Sequence, residues 1–130
     1  MPGMDRFLWI CLGGAAGTGA RYLVTLWTLR VAGPGFPWGT LAVNVAGSFV
    51  LGLIMQVALT TGLIPPILRL GLTTGVMGGF TTYSTFNYET LLYLQRSEWL
   101  LAFANLAATV LLCLAAGALG LVAGRFVVTG

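Results

Sequence analysis

Between Gly75 and Phe86 the chain reads Gly75-Val76-Met77-Gly78-Gly79-Phe80-Thr81-Thr82-Tyr83-Ser84-Thr85-Phe86. Hydroxyl side chains crowd the positions after Phe80, and Tyr83 and Phe86 fall three residues apart, on one face of a helix. Two other polar series repeat every four residues: Thr40, Asn44 and Ser48, then Asn105, Thr109 and Cys113. That spacing puts each series on a single helical face. Amides and hydroxyls can donate hydrogen bonds, and the edges of aromatic rings carry partial positive charge. A donor-rich, uncharged lining of this kind suits a small, strongly hydrated anion. The glycines at Gly75, Gly78 and Gly79 loosen the same stretch, and unwound backbone frees carbonyls that can hold a cation. The plainer reading of either stripe is hydrogen bonding between helices, worth about 0.6 kcal/mol per bond in lipid. Taken together with the Gly75–Phe86 stretch, the stripes read as a lined pathway.

Other chemistry lacks its parts. The 130 residues include no His, no Lys and only three carboxylates, Asp5, Glu89 and Glu98. The usual acid–base and nucleophile constellations cannot be assembled from that inventory, so no catalytic residue is assigned and an enzyme is not expected. Cys11 and Cys113 lie far apart in apolar runs and read as small buried hydrophobes, not as a disulfide or zinc pair. The net charge of +3 comes from single, scattered arginines, which form no nucleic-acid patch. A cation path would be expected to show a buried carboxylate. Glu89 is the only candidate, and it is expected to form a structural ion pair with Arg96 or Arg21.

The elements that must position these residues are membrane spans. With 58% hydrophobic and 7% charged residues, and a mean hydropathy of +0.95, the chain is far from a soluble domain, where about a quarter of residues are charged. Lipid must cover the apolar excess. Four apolar segments approach or exceed the roughly 20 residues that cross a hydrocarbon core: about 7–29, 38–60, 67–93 and 99–127. Together they predict one all-α, four-helix transmembrane domain over residues 1–130. The connections carry the breakers, Gly33-Pro34-Gly35-Phe36-Pro37, Thr61 to Pro66, and Gln95-Arg96-Ser97-Glu98. Trp38, Tyr93 and Trp99 stand at segment ends, as interfacial aromatics do. The first run is longer than a signal-peptide core and contains Arg21, so it reads as a span and not as a cleaved leader.

Charge leaves the orientation open. Arg6, Arg69 and Arg125 fall on one side of a four-span topology and Arg30 and Arg96 on the other, too even a division for the positive-inside rule. One reading is a fixed topology set weakly by Arg6. The other is insertion both ways, followed by pairing with an inverted copy. Glycines four apart, at Gly13 and Gly17, at Gly71, Gly75 and Gly79, and at Gly120 and Gly124, would let helix backbones approach closely. Arg21 either faces protein or a wet vestibule, where it would draw anions, or snorkels to an interface.

Three stretches in order on successive spans resemble the Fluc (CrcB) fluoride-channel family: Gly13 to Tyr22, Gly39 to Phe49, and Gly75 to Phe86. The resemblance covers nearly the whole chain. It implies a passive fluoride-selective channel of the bacterial cytoplasmic (inner) membrane that lowers cytoplasmic fluoride and protects against its toxicity. It further implies an antiparallel, dual-topology homodimer, with the third helix broken near the membrane midplane. By the same resemblance Asn44, Tyr83, Phe86, Ser84, Asn105, Thr109 and Cys113 fall on the fluoride pore, and Arg21 in its vestibule. The backbone carbonyls of Gly78 and Thr81 match a structural sodium site that is not transported. Tyr83 and Cys113 depart from the family's usual Phe and Ser. The expected partners are thus fluoride, a second copy of the chain and the lipid bilayer. A proton-coupled transporter resembling small multidrug exporters is the alternative, although that class relies on a carboxylate embedded in its first helix, and here the first segment has none past Asp5 at its very start.

Overall fold

The computed structural model describes residues 2–130, and among them every regular element is helical. Helix α1 (Pro2–Ala32) and α2 (Trp38–Thr60) are joined by the short Gly/Pro turn. Gly33 takes a left-handed conformation (φ +75°) and donates its N–H to Leu29 O at 3.1 Å, which closes α1 as an αL cap. The third passage opens with α3 (Pro66–Leu70), led in by two prolines. It continues as a π-helical turn over Gly71–Met77 and a three-residue α4 (Gly78–Phe80), and resumes as α5 (Tyr83–Gln95). A tight turn through Ser97 (φ 56°) then leads into α6 (Trp99–Thr129). Helices α1, α2 and α6 each contain a stretch long and apolar enough to cross a membrane. The first and last helices run past the 7–29 and 99–127 limits read from hydropathy. Hydropathy marks the slab in which a helix sits, whereas backbone hydrogen bonding continues into the interface.

Two backbone-to-backbone contacts hold the bundle. The most extensive joins α2 and α6. There a methyl group added to Gly52 would come within 2.6 Å of Gly117 O, and one added to Gly120 would strike Phe49 O. The second joins α1 to the π-helical turn and α4: Gly13 lies over Gly71 O, Gly17 over Val76 O, and Gly79 within 2.5 Å (as a Cβ) of Gly14 O. Lipid supplies no hydrophobic drive for helices to associate, so close van der Waals contact between small residues must do it. The interior is correspondingly thin. Val43 and Asn105 are its largest fully buried side chains, while Trp27, Leu100 and Leu114 stay exposed, as lipid-facing residues should.

Candidate functional site

The third passage loses its helical path at two residues. Thr81 (φ −87°, ψ 159°) and Thr82 (φ −153°, ψ 114°) are extended; the Thr81 N–H keeps its helical partner, whereas the Thr82 N–H and carbonyl are served by a side chain. Each is handled differently. Thr81 turns back on α4 and the π turn, with its N–H and its hydroxyl both donating to Met77 O, at 3.0 and 2.9 Å. The Asn44 amide, reaching across from α2, serves both backbone groups of Thr82. Its Oδ1 accepts the Thr82 N–H at 2.8 Å, and its Nδ2 donates to Thr82 O at 3.0 Å. Asn44 therefore stands in for one rung of a strand ladder, which explains how an extended residue is tolerated inside an apolar bundle. The Thr82 hydroxyl caps α5, accepting from Thr85 N at 3.2 Å and donating to Thr85 Oγ1 at 3.0 Å. From α1, Arg21 Nε donates to Gly79 O at 3.0 Å.

Beside this break lies a cavity of about 550 Å³. Asn44, Tyr83, Phe86, Thr109 and Cys113 line it, together with Gly78 and Thr81. Residues from α2, α5 and α6 that the sequence separates by up to 69 positions (113 − 44) thus face one space. Phe86 is buried and Tyr83 is 77% exposed. Their rings meet edge to face, with centroids 5.9 Å apart and planes at 66°. Three other predicted site residues sit elsewhere. Ser84 is exposed, its hydroxyl 3.5 Å from that of Thr82. Asn105 is fully buried and donates to Thr90 Oγ1 at 2.9 Å, tying α6 to α5. The half-buried Arg21 does not line the cavity and reaches the break from α1 at Gly79 O. Ser48 does border the cavity, but its hydroxyl turns back to Asn44 O at 2.6 Å.

Sequence reasoning missed Thr73 and Met77, which line the cavity from the π-helical turn. With Thr81 they form another series spaced by four, a legible signal hidden by the glycines around it. It also missed a second cavity, of about 510 Å³, beneath the α1–α2 turn. Thr25, Thr28, Thr40, Glu89 and Tyr93 are in its walls, and the Tyr93 hydroxyl donates to Gly35 O at 3.3 Å across the mouth. The ion pair expected for Glu89 is not formed among the described residues. Its Oε1 is buried without a hydrogen-bond partner. Arg21 is engaged at Gly79, and Arg96 lies two turns further on, just past the end of α5.

Comparison with known proteins bears directly on this arrangement. Residues 8–121 match the family described as CrcB-like protein, Camphor Resistance (CrcB). A fluoride-specific ion channel FluC of Sorangium cellulosum (strain So ce56) is 54% identical over 98% of this chain and 100% of its own length. The chain belongs to the Fluc (CrcB) family. A FluC of Anaeromyxobacter dehalogenans (strain 2CP-1 / ATCC BAA-258) is 59% identical over 87% of this chain and 90% of its own length. One from Geobacter metallireducens is 52% identical over 89% and 94%. The matched span contains every Fluc motif residue considered above, from Gly13 to Cys113. These relatives are named as ion channels, in keeping with a chain that lacks a catalytic constellation.

Proposed function

We propose that this protein is one subunit of a passive fluoride-selective channel that lowers cytoplasmic fluoride and limits its toxicity. The observation that carries the reading is the single cavity lined by Asn44, Phe86, Tyr83, Thr109 and Cys113. Its polar side chains are neutral, and among the described residues no carboxylate borders it. Fluoride gives up hydration water at high cost, so a filter must offer replacement donors at close range. The second Nδ2 hydrogen of Asn44, the Thr109 hydroxyl, the Cys113 thiol and the ring edges of Tyr83 and Phe86 are the groups available.

The working unit in this proposal is an antiparallel, dual-topology homodimer in the bacterial inner membrane, with the third-helix break near the midplane. Support comes from α5, which leaves Tyr83, Ser84 and Asn87 exposed on a single chain. Polar groups at membrane depth face protein or water. A structural sodium ion, not transported, fits the carbonyl chemistry of the break. Gly79 O is occupied by Arg21 and Thr82 O by Asn44, whereas the Gly78 and Thr81 carbonyls take no tertiary hydrogen bond among the described residues. Those two carbonyls would hold the cation, which would supply fixed positive charge at the centre of the assembly.

Purified protein in liposomes should release fluoride rapidly on relief of charge balance and leave chloride inside. Equal efflux of both ions, or of neither, defeats the proposal. The buried, unpaired Oε1 of Glu89 is the one feature that favours a proton-coupled transporter. Proton-coupled cation flux that Glu89→Gln abolishes would establish that reading instead.

A further inference from the structure

The break exposes a run of consecutive main-chain carbonyls, and two side chains select among them. Arg21 Nε takes Gly79 O at 3.0 Å, and Asn44 Nδ2 takes Thr82 O at 3.0 Å. The carbonyls of Gly78, Phe80 and Thr81 are left without a tertiary hydrogen bond among the described residues, and Gly78 and Thr81 flank the clamped Gly79. Position 79 is packed against α1, where a Cβ would lie 2.5 Å from Gly14 O and 3.0 Å from Thr18 Oγ1. Position 78 is exposed and open, with nothing nearer than Thr73 O at 3.8 Å. Adjacent glycines are thus held in opposite roles, one docked to α1 and the other free.

We propose that Arg21 is a positioning residue for the sodium site. Its Nε–H fixes the Gly79 carbonyl, and through the shared peptide geometry it orients the Gly78 and Thr81 carbonyls toward the cation. This rests on the sodium reading above and assigns Arg21 a role distinct from attracting anions into a vestibule. The two roles predict effects of opposite sign. A guanidinium near a bound cation repels it through space, so removing the charge alone should tighten sodium binding. Removing a clamp on the carbonyls should weaken it, because binding would then have to order the backbone as well.

Side-chain geometry allows the roles to be separated. Glutamine carries its amide nitrogen at the same number of bonds from Cα as arginine carries Nε, so Arg21→Gln keeps a donor for Gly79 O and discards the charge. Lysine keeps the charge but places a methylene at that point. Methionine keeps approximate bulk and supplies neither. The readout is the sodium concentration at half-maximal thermal stabilisation of the purified full chain, titrated against a bulky organic cation that replaces sodium. The expected midpoint for Arg21→Gln is within about threefold of wild type or lower. The expected midpoint for Arg21→Lys, which keeps the charge and loses the clamp, is higher than wild type by about tenfold or more, and that for Arg21→Met, which loses both, is higher than that of Arg21→Gln by about tenfold or more, as for the loss of one charge-assisted hydrogen bond. A Met variant that binds sodium as tightly as the Gln variant, or a folded Gln variant that loses its sodium response, overturns the assignment of Arg21. If the Met variant fails to fold, Gln against Lys carries the same contrast. A wild-type protein indifferent to sodium overturns the sodium site itself, and Arg21's role with it.

Discussion

Asn44 is the residue at which structure and proposed conduction meet. It was legible in the sequence as the middle of a polar stripe, but not as a clamp, because the extended backbone of Thr82 has no signature that a stripe can reveal. Both of its functions need the amide N–H. Asn44→Asp leaves an acceptor for Thr82 N, removes the donor to Thr82 O, and puts a negative charge beside the cavity. A like charge about 4 Å from a passing anion costs about 4 kcal/mol at an effective dielectric constant of 20. Fluoride efflux should therefore fall by about a hundredfold or more, and a rate within threefold of wild type would remove Asn44 from the path. Tyr83 makes the opposite case. Its ring meets Phe86 edge to face, and its hydroxyl has no hydrogen-bond partner among the described residues around the break. Tyr83→Phe should retain flux within about threefold in the same assay, while Tyr83→Ala, which loses the ring edge, should reduce it by about tenfold or more.

Helices rather than residues were the part most easily read from sequence. Three of the four apolar runs coincide within about five residues with the long helices α1, α2 and α6, because a hydrocarbon slab imposes a minimum length on a span. The exception is the third passage. It is long enough for a span but more polar than the other three, and it divides into α3, a π-helical turn, α4 and α5. The spacing of glycines hinted at close packing, and the structure sorts those glycines by neighbour. Gly17 lies under Val76 O, and an added Cβ would also stand 2.9 Å from Phe80 N. Gly19, on the same helix, has open space around it. Gly17→Ala should push α1 off the π-helical turn, at a cost of about 1–3 kcal/mol or more, and lower the melting temperature in detergent by about 5 °C or more. Gly19→Ala should leave it unchanged or raise it, since Ala is the better helix former by up to about 1 kcal/mol. Equal effects at the two positions would mean that the α1 contact does not hold the break.

For the whole molecule, the near-even arginine count and the exposed polar face of α5 lead to one expectation. Cysteine labels placed at the amino terminus should react with a membrane-impermeant reagent in roughly half of the chains in intact cells, and in all of them after lysis. Complete protection or complete reaction before lysis would fix a single orientation and exclude an inverted pair. A different consequence follows from the lengths of the outer helices. Helices α1 and α6 are 31 residues each, about 46 Å at 1.5 Å per residue, against a hydrocarbon thickness of about 30 Å. A bilayer made of shorter acyl chains must increase their lean or their overhang. Between Gly17 and Val76 O there is no side chain to absorb the movement, so a change in the lean of α1 is handed directly to the carbonyls beyond it. The lipid's own thickness thereby becomes a lever on the break, acting from outside the protein on the few backbone groups at its centre.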